Sequence, residues 1–433
     1  MEKSLTVGLT GIIPVFLYGN QTAMKYFALY VMAFVLFSCT AQEVVYEDGR
    51  NLSDDEQLSE HHNDSQKDST EVNTGDGSYG KGTVYITGIE YPPGYDWKSS
   101  VEPEGTEALL FLMADGERVV DFLVGEKYCI YADPKRHICI KGHVYSDFNI
   151  DGKTIVKKDG ETLFVYDEEE IIISWAVIGG DVYTLGERKP SGVALRKNGI
   201  LLYDSTSGKA LSGLYEAGGS VGFCAGEKAA QRCVFNIYSD GVIERKFCDE
   251  KLDSVIVAEQ RYGKLSYVGY SSVSDEYILY SDGKETVLER FRYDYIAAIK
   301  FLRGDRKLFV YGELSDDNDN LCSPAVWTES GLFFNFSSYE KSFSVCTDAD
   351  TVYIFVGKQQ YPQPISAYKN REEKIFEYGS GLSVYSDKAS VVADGKLYFI
   401  YQKYRPYLRP CISVDGVETE YGFNGFFSGV SFW

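Results

Sequence analysis

Histidine, methionine and tryptophan are scarce in this chain of 433 residues, with 4 of each, and proline reaches only 11. No His follows His143. That excludes a hydrolase of the nucleophile-elbow type, whose His comes after its Ser, and leaves any acid–base chemistry to carboxylates or Tyr. The nine Cys include no C-x-x-C pair, so neither a zinc ribbon nor a thioredoxin-like site is indicated. Basic residues are in deficit, 43 Lys and Arg against 64 Asp and Glu, for a net charge of −21. Binding to phosphate backbones needs clustered Lys and Arg, so nucleic acid is not the expected partner, nor is an anionic membrane surface. Long apolar runs are missing too. Tyr26 to Phe37 is an unbroken run of twelve, short of the roughly 20 residues a spanning helix requires. From Thr83 onward no amphipathic helical period appears.

The residues in surplus are 35 Tyr, 25 Phe and 42 Gly. Tyr and Phe favour pleated, half-buried surfaces and Gly supplies turn conformations, so the balance leans to β structure. A hydrophobic fraction of 44% is enough for a substantial core.

The N-terminal segment carries the most specific signal. Met24-Lys25 opens a positive region, the run Tyr26 to Phe37 follows, and Leu36-Phe37-Ser38-Cys39 ends it. This has the length of a signal peptide's apolar region. It resembles the lipobox of bacterial lipoproteins, with Phe37 bulkier than usual at its position. Residues 1–38 are therefore expected to be a signal region, with translation starting at Met24, and Cys39 is expected to carry lipid. Residues 39–82 are rich in Asp, Glu, Ser, Asn and Gln and lack apolar periodicity, as expected of a disordered tether. His61-His62 within it reads as a solvated pair. The expected location is the cell envelope, at the outer membrane through lipid alone, facing the periplasm or the surface.

Residues 83–433 repeat. Tight-turn pairs recur at Asp115-Gly116, Asp159-Gly160, Asn198-Gly199, Asp240-Gly241, Asp282-Gly283, Ser330-Gly331, Asn370-Arg371 and Asp415-Gly416, spaced 39 to 48 residues apart. Such dipeptides supply the positive φ of two-residue hairpins. Each is preceded by an alternating run, as in Val84-Tyr85-Ile86, Val182-Tyr183-Thr184, Leu308-Phe309-Val310, Val352-Tyr353-Ile354 and Leu397-Tyr398-Phe399. A shorter run, as in Val255-Ile256-Val257 or Ser390-Val391-Val392, comes before that. About four short strands per unit at this period is the signature of β-propeller blades. The expectation is an all-β propeller of eight four-stranded blades. Blade one lacks an inner strand ahead of Val84, and Ser428 to Trp433 stands where it could supply one and close the ring. An extra stretch from Lys127 to Ile140 reads as an irregularity of blade one and leaves seven blades as the alternative count.

Lys197-Asn198-Gly199, Tyr368-Lys369-Asn370 and the Val-Tyr strands resemble the repeats of Bacteroidetes-type β-propeller lipoproteins. In those a Val-Tyr-Val-Ala-Gly-like strand leads to a Trp-Lys-Asn-Gly-like hairpin. The resemblance spans residues 83–433, with the Trp missing from most repeats. It implies a fold and an envelope location and no activity, since fold does not fix function.

Several motifs fail on inspection. Gly218-Gly219-Ser220-Val221-Gly222 matches G-x-S-x-G but reads as a Gly-rich turn between strands. Ser338-Tyr339-Glu340-Lys341 matches S-x-x-K with no helix to carry it. His137, Cys139 and His143 read as one face of a single strand, with the two His too far apart to share an ion. Asp316 to Asn320 opens like a Ca²⁺ loop, but Leu321 stands where Gly is required. Cys224 and Cys233 flank a short loop symmetrically, as a disulfide pair or as small buried residues. No metal and no cofactor is called for.

What remains is one face. The loops joining second and third strands emerge together, and three are aromatic and Pro-rich: Tyr91-Pro92-Pro93-Gly94-Tyr95-Asp96-Trp97, Tyr361-Pro362-Gln363-Pro364 and Tyr404-Arg405-Pro406-Tyr407. Rigid aromatic platforms suit sugar rings or a protein surface. Tyr95, Trp97, Tyr361, Tyr404, Arg405 and Tyr407 are thus the candidate binding residues of a monomeric, non-catalytic propeller that takes a glycan or an envelope protein. The alternative is an envelope polysaccharide hydrolase or lyase using carboxylates or Tyr, which would need a buried carboxylate cluster at the channel mouth.

Overall fold

The computed structural model describes residues 82–93, 95, 108–124, 136–229, 232–261, 263–304, 307–316, 323–337, 340–358, 364–384, 386, 388–404 and 408–433. The expected signal region, Cys39 and the acidic tether lie outside these, as do most of the aromatic loops.

Tight turns form at all eight expected places, in blade six one residue earlier, at Glu329-Ser330, with Gly331 opening the outer strand, and they fix the architecture. In seven of the eight turn pairs both residues have positive φ, from Asp115 and Gly116 (48° and 93°) to Asp415 and Gly416 (48° and 81°). That is the backbone that matches the twist of the flanking strands. At Ser330-Gly331 only the Gly has positive φ. Each turn joins the third strand of a blade to its outermost fourth.

The turn residue also grips the second strand. In five blades its backbone N–H donates to the carbonyl of the Val or Leu near the start of the second strand, and its side-chain oxygen accepts from that residue's N–H. Asp159, for example, binds Val144 in this way, and Asn370 binds Val352. The same clamp joins Asp115 to Val84, Asn198 to Val182 and Asp415 to Leu397. This is why the Val-Tyr strands and the Asn-Gly or Asp-Gly turns recur together in the sequence.

Eight antiparallel sheets result, each built from consecutive strands except the first. Blade one runs outward from Gly425–Phe432 through Val84–Glu90 and Ala108–Ala114 to Glu117–Val124. The last strand of the chain is therefore the inner strand of the first blade, as expected. Val84 lies opposite Phe432 and Glu90 opposite Gly425, and Thr83 and Trp433 exchange two further backbone hydrogen bonds.

Blade two begins at His137–Ile140. The extra stretch from Lys127 to Ile140 is thus no irregularity of blade one; it contains blade two's inner strand, and the count is eight. The inner strands of blades four and eight are each broken in two. Lys209–Ala210 and Tyr215–Ala217 both pair with Ser220–Ala229, and Leu382–Ser383 and Ser390–Ala393 both pair with Lys396–Tyr404. In blade four Ser212 Oγ accepts the Cys224 N–H and takes the place of a ladder carbonyl.

The core lies between blades. Phe355 of blade seven stacks on Phe399 of blade eight, ring centroids 4.0 Å apart. Tyr145 of blade two meets Trp175 of blade three. A second joint recurs at the rim, where the outer strand of one blade tucks a Phe ring under the Asp-Gly or Asn-Gly turn of the next. Phe122 covers Gly160, Phe164 covers Gly199 and Phe376 covers Gly416.

Candidate functional site

Strands alternate in direction, so the loops between second and third strands leave the ring on the same face as the connections from each outer strand to the next blade. Of the aromatic candidates on that face, Tyr95 is fully described. Pro92-Pro93 folds the loop back, Tyr95 N–H donates to Pro92 O, and the Tyr95 ring stacks on Tyr91 at 4.6 Å. Asn424 Nδ2 donates to the Tyr95 carbonyl. The Tyr95 ring is buried with Tyr91, Leu408 and Phe426, so it fastens the loop to blade one and does not present a platform to solvent. Tyr404 ends the second strand of blade eight. Its side chain, together with Trp97, Tyr361, Arg405 and Tyr407, lies outside the described residues.

The same face carries a cleft that no motif announced. It lies in blade five, across the ring from blade one, and has a volume of about 470 Å³. One wall is the turn between second and third strands, Ser274 to Glu276; the other is the connection to blade six, Val287 to Tyr293. Arg290 ties the two together. Its guanidinium pairs with the Asp275 carboxylate at 2.8 Å and donates to the Asp275 and Asp294 carbonyls. Tyr270 OH donates to the same carboxylate at 2.8 Å. The Arg290 bond, then the Tyr270 bond, holds the Asp275 carboxyl below its ordinary range.

Fixing the connection this way leaves Phe291 at its tip, 56% exposed, with φ of 55°. A bulky side chain in the left-handed region is strained, by roughly 1–3 kcal/mol, and such residues concentrate at functional sites. Val287, also exposed, stands on the same wall, with Glu276 and Glu289 at the cleft's margin. A lone Phe among charged residues gives no sequence signal; only the positive φ marks it.

Two of the buried carboxylates, Glu170 and Asp147, are structural joints, and a third, Glu259, is buried on the inner strand of blade five. Glu170, enclosed at the start of blade three's inner strand, accepts from Arg196 Nη2 at 2.6 Å and from Arg188 Nε at 3.1 Å. Arg196 lies over the Tyr166 ring at 4.4 Å, and the Glu170 N–H donates to Thr154 Oγ1 of blade two. Asp147, fully enclosed, faces Arg136 at 3.3 Å. Burial pushes the Glu187 carboxyl upward, and Lys209 beside it downward. This pair joins blades three and four, away from the cleft.

His137 and His143 do not share a strand. Lys141 and Gly142 have positive φ and make a hairpin turn, so His137 ends up opposite Ser146 and His143 opposite Ile140. The single-strand expectation fails because Lys141-Gly142, not a recognised turn dipeptide, reverses the chain. His143 Nδ1 meets Asp159 Oδ2 at 2.7 Å in solvent. His137 is buried, with Nε2 2.5 Å from Ser428 Oγ. Ser428 Oγ donates to Thr87 Oγ1 at 2.9 Å, and Thr87 Oγ1 donates to the Gly429 carbonyl. Following the protons backwards, His137 must supply Nε2–H to Ser428. The imidazole is a donor here, so Ser428 has no base and is not a nucleophile.

Cys411, Glu418 and Glu420 converge within 4.8 Å, but Lys403 Nζ pairs with both carboxylates and occupies the place a cation would take. Burial pushes the Cys411 thiol up to about 12. The Gly218-Gly219 segment is the turn between Tyr215–Ala217 and Ser220–Ala229. Cys224 and Cys233 do lie on one hairpin, yet Cys224 sits opposite Ile237 and Cys233 opposite Lys228. That register excludes a disulfide between them; both are free and buried. Asp317 to Leu321, Ser338 and Tyr339 lie outside the described residues.

Neither a protein-family model nor a curated protein matches the chain. Among solved structures it is similar to "Dihydro-heme d1 dehydrogenase NirN in complex with DHE", with a TM-score of 0.51 and 12% identity over 80% of this chain and 74% of that one. It is more loosely similar to the Dos1 propeller, with a TM-score of 0.39 and 8% identity over 74% of this chain and 90% of that one. At 12% identity the first likeness speaks for the fold alone.

Proposed function

We propose that this chain is a non-catalytic binding propeller, held at the outer membrane by lipid on Cys39, that captures a glycan or an envelope protein on the face of its second-to-third-strand loops. The observation that carries the binding role is the blade-five cleft. Its two walls are locked by Arg290, and it holds out an apolar ring at a strained backbone position beside two carboxylates. That combination offers a sugar ring or a peptide an apolar contact and hydrogen-bond acceptors. The second strands of blades seven, eight and one, from which the aromatic loops depart, end on this face, and a ligand large enough to reach across it would meet both regions.

A hydrolase needs a buried carboxylate poised as an acid next to a second one. The buried carboxylates Glu170 and Asp147 face arginines and Glu187 faces Lys209, which favours the binding role; Glu259, buried on the inner strand of blade five, is the remaining candidate acid.

The test is a glycan array and an envelope pull-down with the purified protein. A large aromatic contact contributes about 2 kcal/mol or more, so Phe291→Ala should weaken capture at least about tenfold with the circular dichroism unchanged. Undiminished capture by Phe291→Ala, with loss in the Trp97→Ala, Tyr404→Ala double variant, would move the site to the aromatic loops. Retention in both would defeat the reading. For the anchor, Cys39→Ser should abolish lipid labelling and release the protein from membranes.

A further inference from the structure

Where the ring closes, the inner strands of blades one and two meet the chain entering blade eight and leave a cavity of about 20 Å³. Its polar lining is His137, Thr87, Ser428, Ser431 and Lys388. Among the described residues no carboxylate lines it. The donors already committed are the Nε2–H of His137 and the hydroxyls of Ser428 and Thr87, which run in series to the Gly429 carbonyl. Ser431 is different. It is 7% exposed, and its Oγ has no hydrogen-bond partner among the described residues. Lys388 is fixed by its backbone, its carbonyl accepting from Val430 N–H and its own N–H donating to Ser386 Oγ. Its ammonium has no ion pair among the described residues. Although the whole chain carries −21, the charge that acts on His137 among the described residues is this ammonium.

We propose that this cavity is a binding site for one monatomic anion, of the size of chloride, held by Lys388 Nζ and Ser431 Oγ. The volume admits one or two water-sized species and excludes sulfate or phosphate. The groups left over are a cation and a hydroxyl donor, which suit an anion and not a metal ion. A bound anion would link three blades across the closing seam: Lys388 from blade eight, Ser431 from blade one and, through the field, His137 from blade two. It would also stabilise protonated imidazole and so raise the His137 pKa.

The test uses the whole protein with bromide in place of chloride. Anomalous scattering should show one bromide between Lys388 and Ser431, absent in Lys388→Met and weakened in Ser431→Ala. Lys388→Met keeps the backbone contacts and most of the side-chain length; should it fail to fold, Ser431→Ala carries the same comparison. In solution the chain has only 4 His, so the His137 ring signal can be followed. Its titration should move upward on exchanging gluconate for chloride at constant ionic strength, and should not move in Lys388→Met. An ordered water without anomalous signal, a bromide peak that survives Lys388→Met, or a His137 titration indifferent to chloride would each overturn the site.

Discussion

At the scale of single residues, His137 makes the sharpest prediction. Burial first, and Lys388 second, lower its pKa from 6.5 to about 4 in the folded ring. Between those values the unfolded chain binds a proton that the folded one does not. The contribution to stability is therefore complete above pH 6.5 and is lost as pH falls toward 4. The full effect is about 3 kcal/mol. Urea unfolding in gluconate buffer at pH 7 and pH 4.5 should show an acid loss in the wild type that is smaller in His137→Gln by up to that amount. Equal losses would mean that His137 is protonated in the fold. Sequence could not have found this network, because Ser428 lies 291 positions from His137 and Thr87 lies 341 positions from Ser428. Spacing along one strand, the available guide, led instead to His143, which the Lys141-Gly142 turn carries to the neighbouring strand. Phe291 was equally hidden, since its significance lies in a backbone angle and not in its neighbours.

At the scale of elements the sequence was far more legible, because a two-residue hairpin imposes a local demand that few residues meet. Every turn chosen on Asp, Asn or Gly joins the third and fourth strands of a blade. The Asn370-Arg371 turn is the one that puts a bulky residue at the second position, with φ of 65° at Arg371. Arg371→Gly should raise stability by about 0.5–1 kcal/mol, because Gly meets no Cβ clash in this region; denaturant titration decides. What local demand cannot report is the neighbour. Gly160 and Gly241 look alike in sequence and have similar φ, 86° and 77°. An added Cβ at Gly160 would come within 2.7 Å of the Phe122 ring of blade one, whereas at Gly241 it meets open space. Both Ala substitutions incur the backbone cost, so their difference isolates the blade–blade joint. Gly160→Ala should be more destabilising than Gly241→Ala by about 1–3 kcal/mol, the usual range for overpacking. A pair of equal melting shifts would show that the rim Phe yields freely. The Cys224–Cys233 expectation failed for a related reason: symmetry about a loop does not set register when the hairpin bends elsewhere.

At the scale of the whole molecule, one pairing determines whether the ring is closed. The strand Gly425–Phe432 lies more than 300 positions from its partner Val84–Glu90 and pairs with it along its full length. Phe426, Phe427 and Val430 are buried on it, packed against Ile89, Phe111 and the blade-eight residues Tyr401 and Ile412. Each such side chain contributes about 1.5–3 kcal/mol on burial. Together they are on the order of the entire stability of an ordinary domain, about 5–15 kcal/mol. Their removal would also bare the edge of Val84–Glu90 and the flank of blade eight, two templates for pairing with other chains. Deleting Ser428 to Trp433 takes away Val430 and four of the seven residue pairs, and leaves Gly425, Phe426 and Phe427 on a stub of three pairs. It also takes Ser428 from the His137 chain, so blade two loses its polar tie to the seam. The truncated protein should therefore unfold at lower denaturant concentration, with a broadened transition, and should self-associate on size exclusion. Adding the missing segment back as a separate peptide should restore part of the stability, because the site it occupies is already shaped by blades eight, one and two. A truncated chain that melts as one cooperative unit at the wild-type temperature would show that the seam is held by side-chain packing between blades and not by the shared strand.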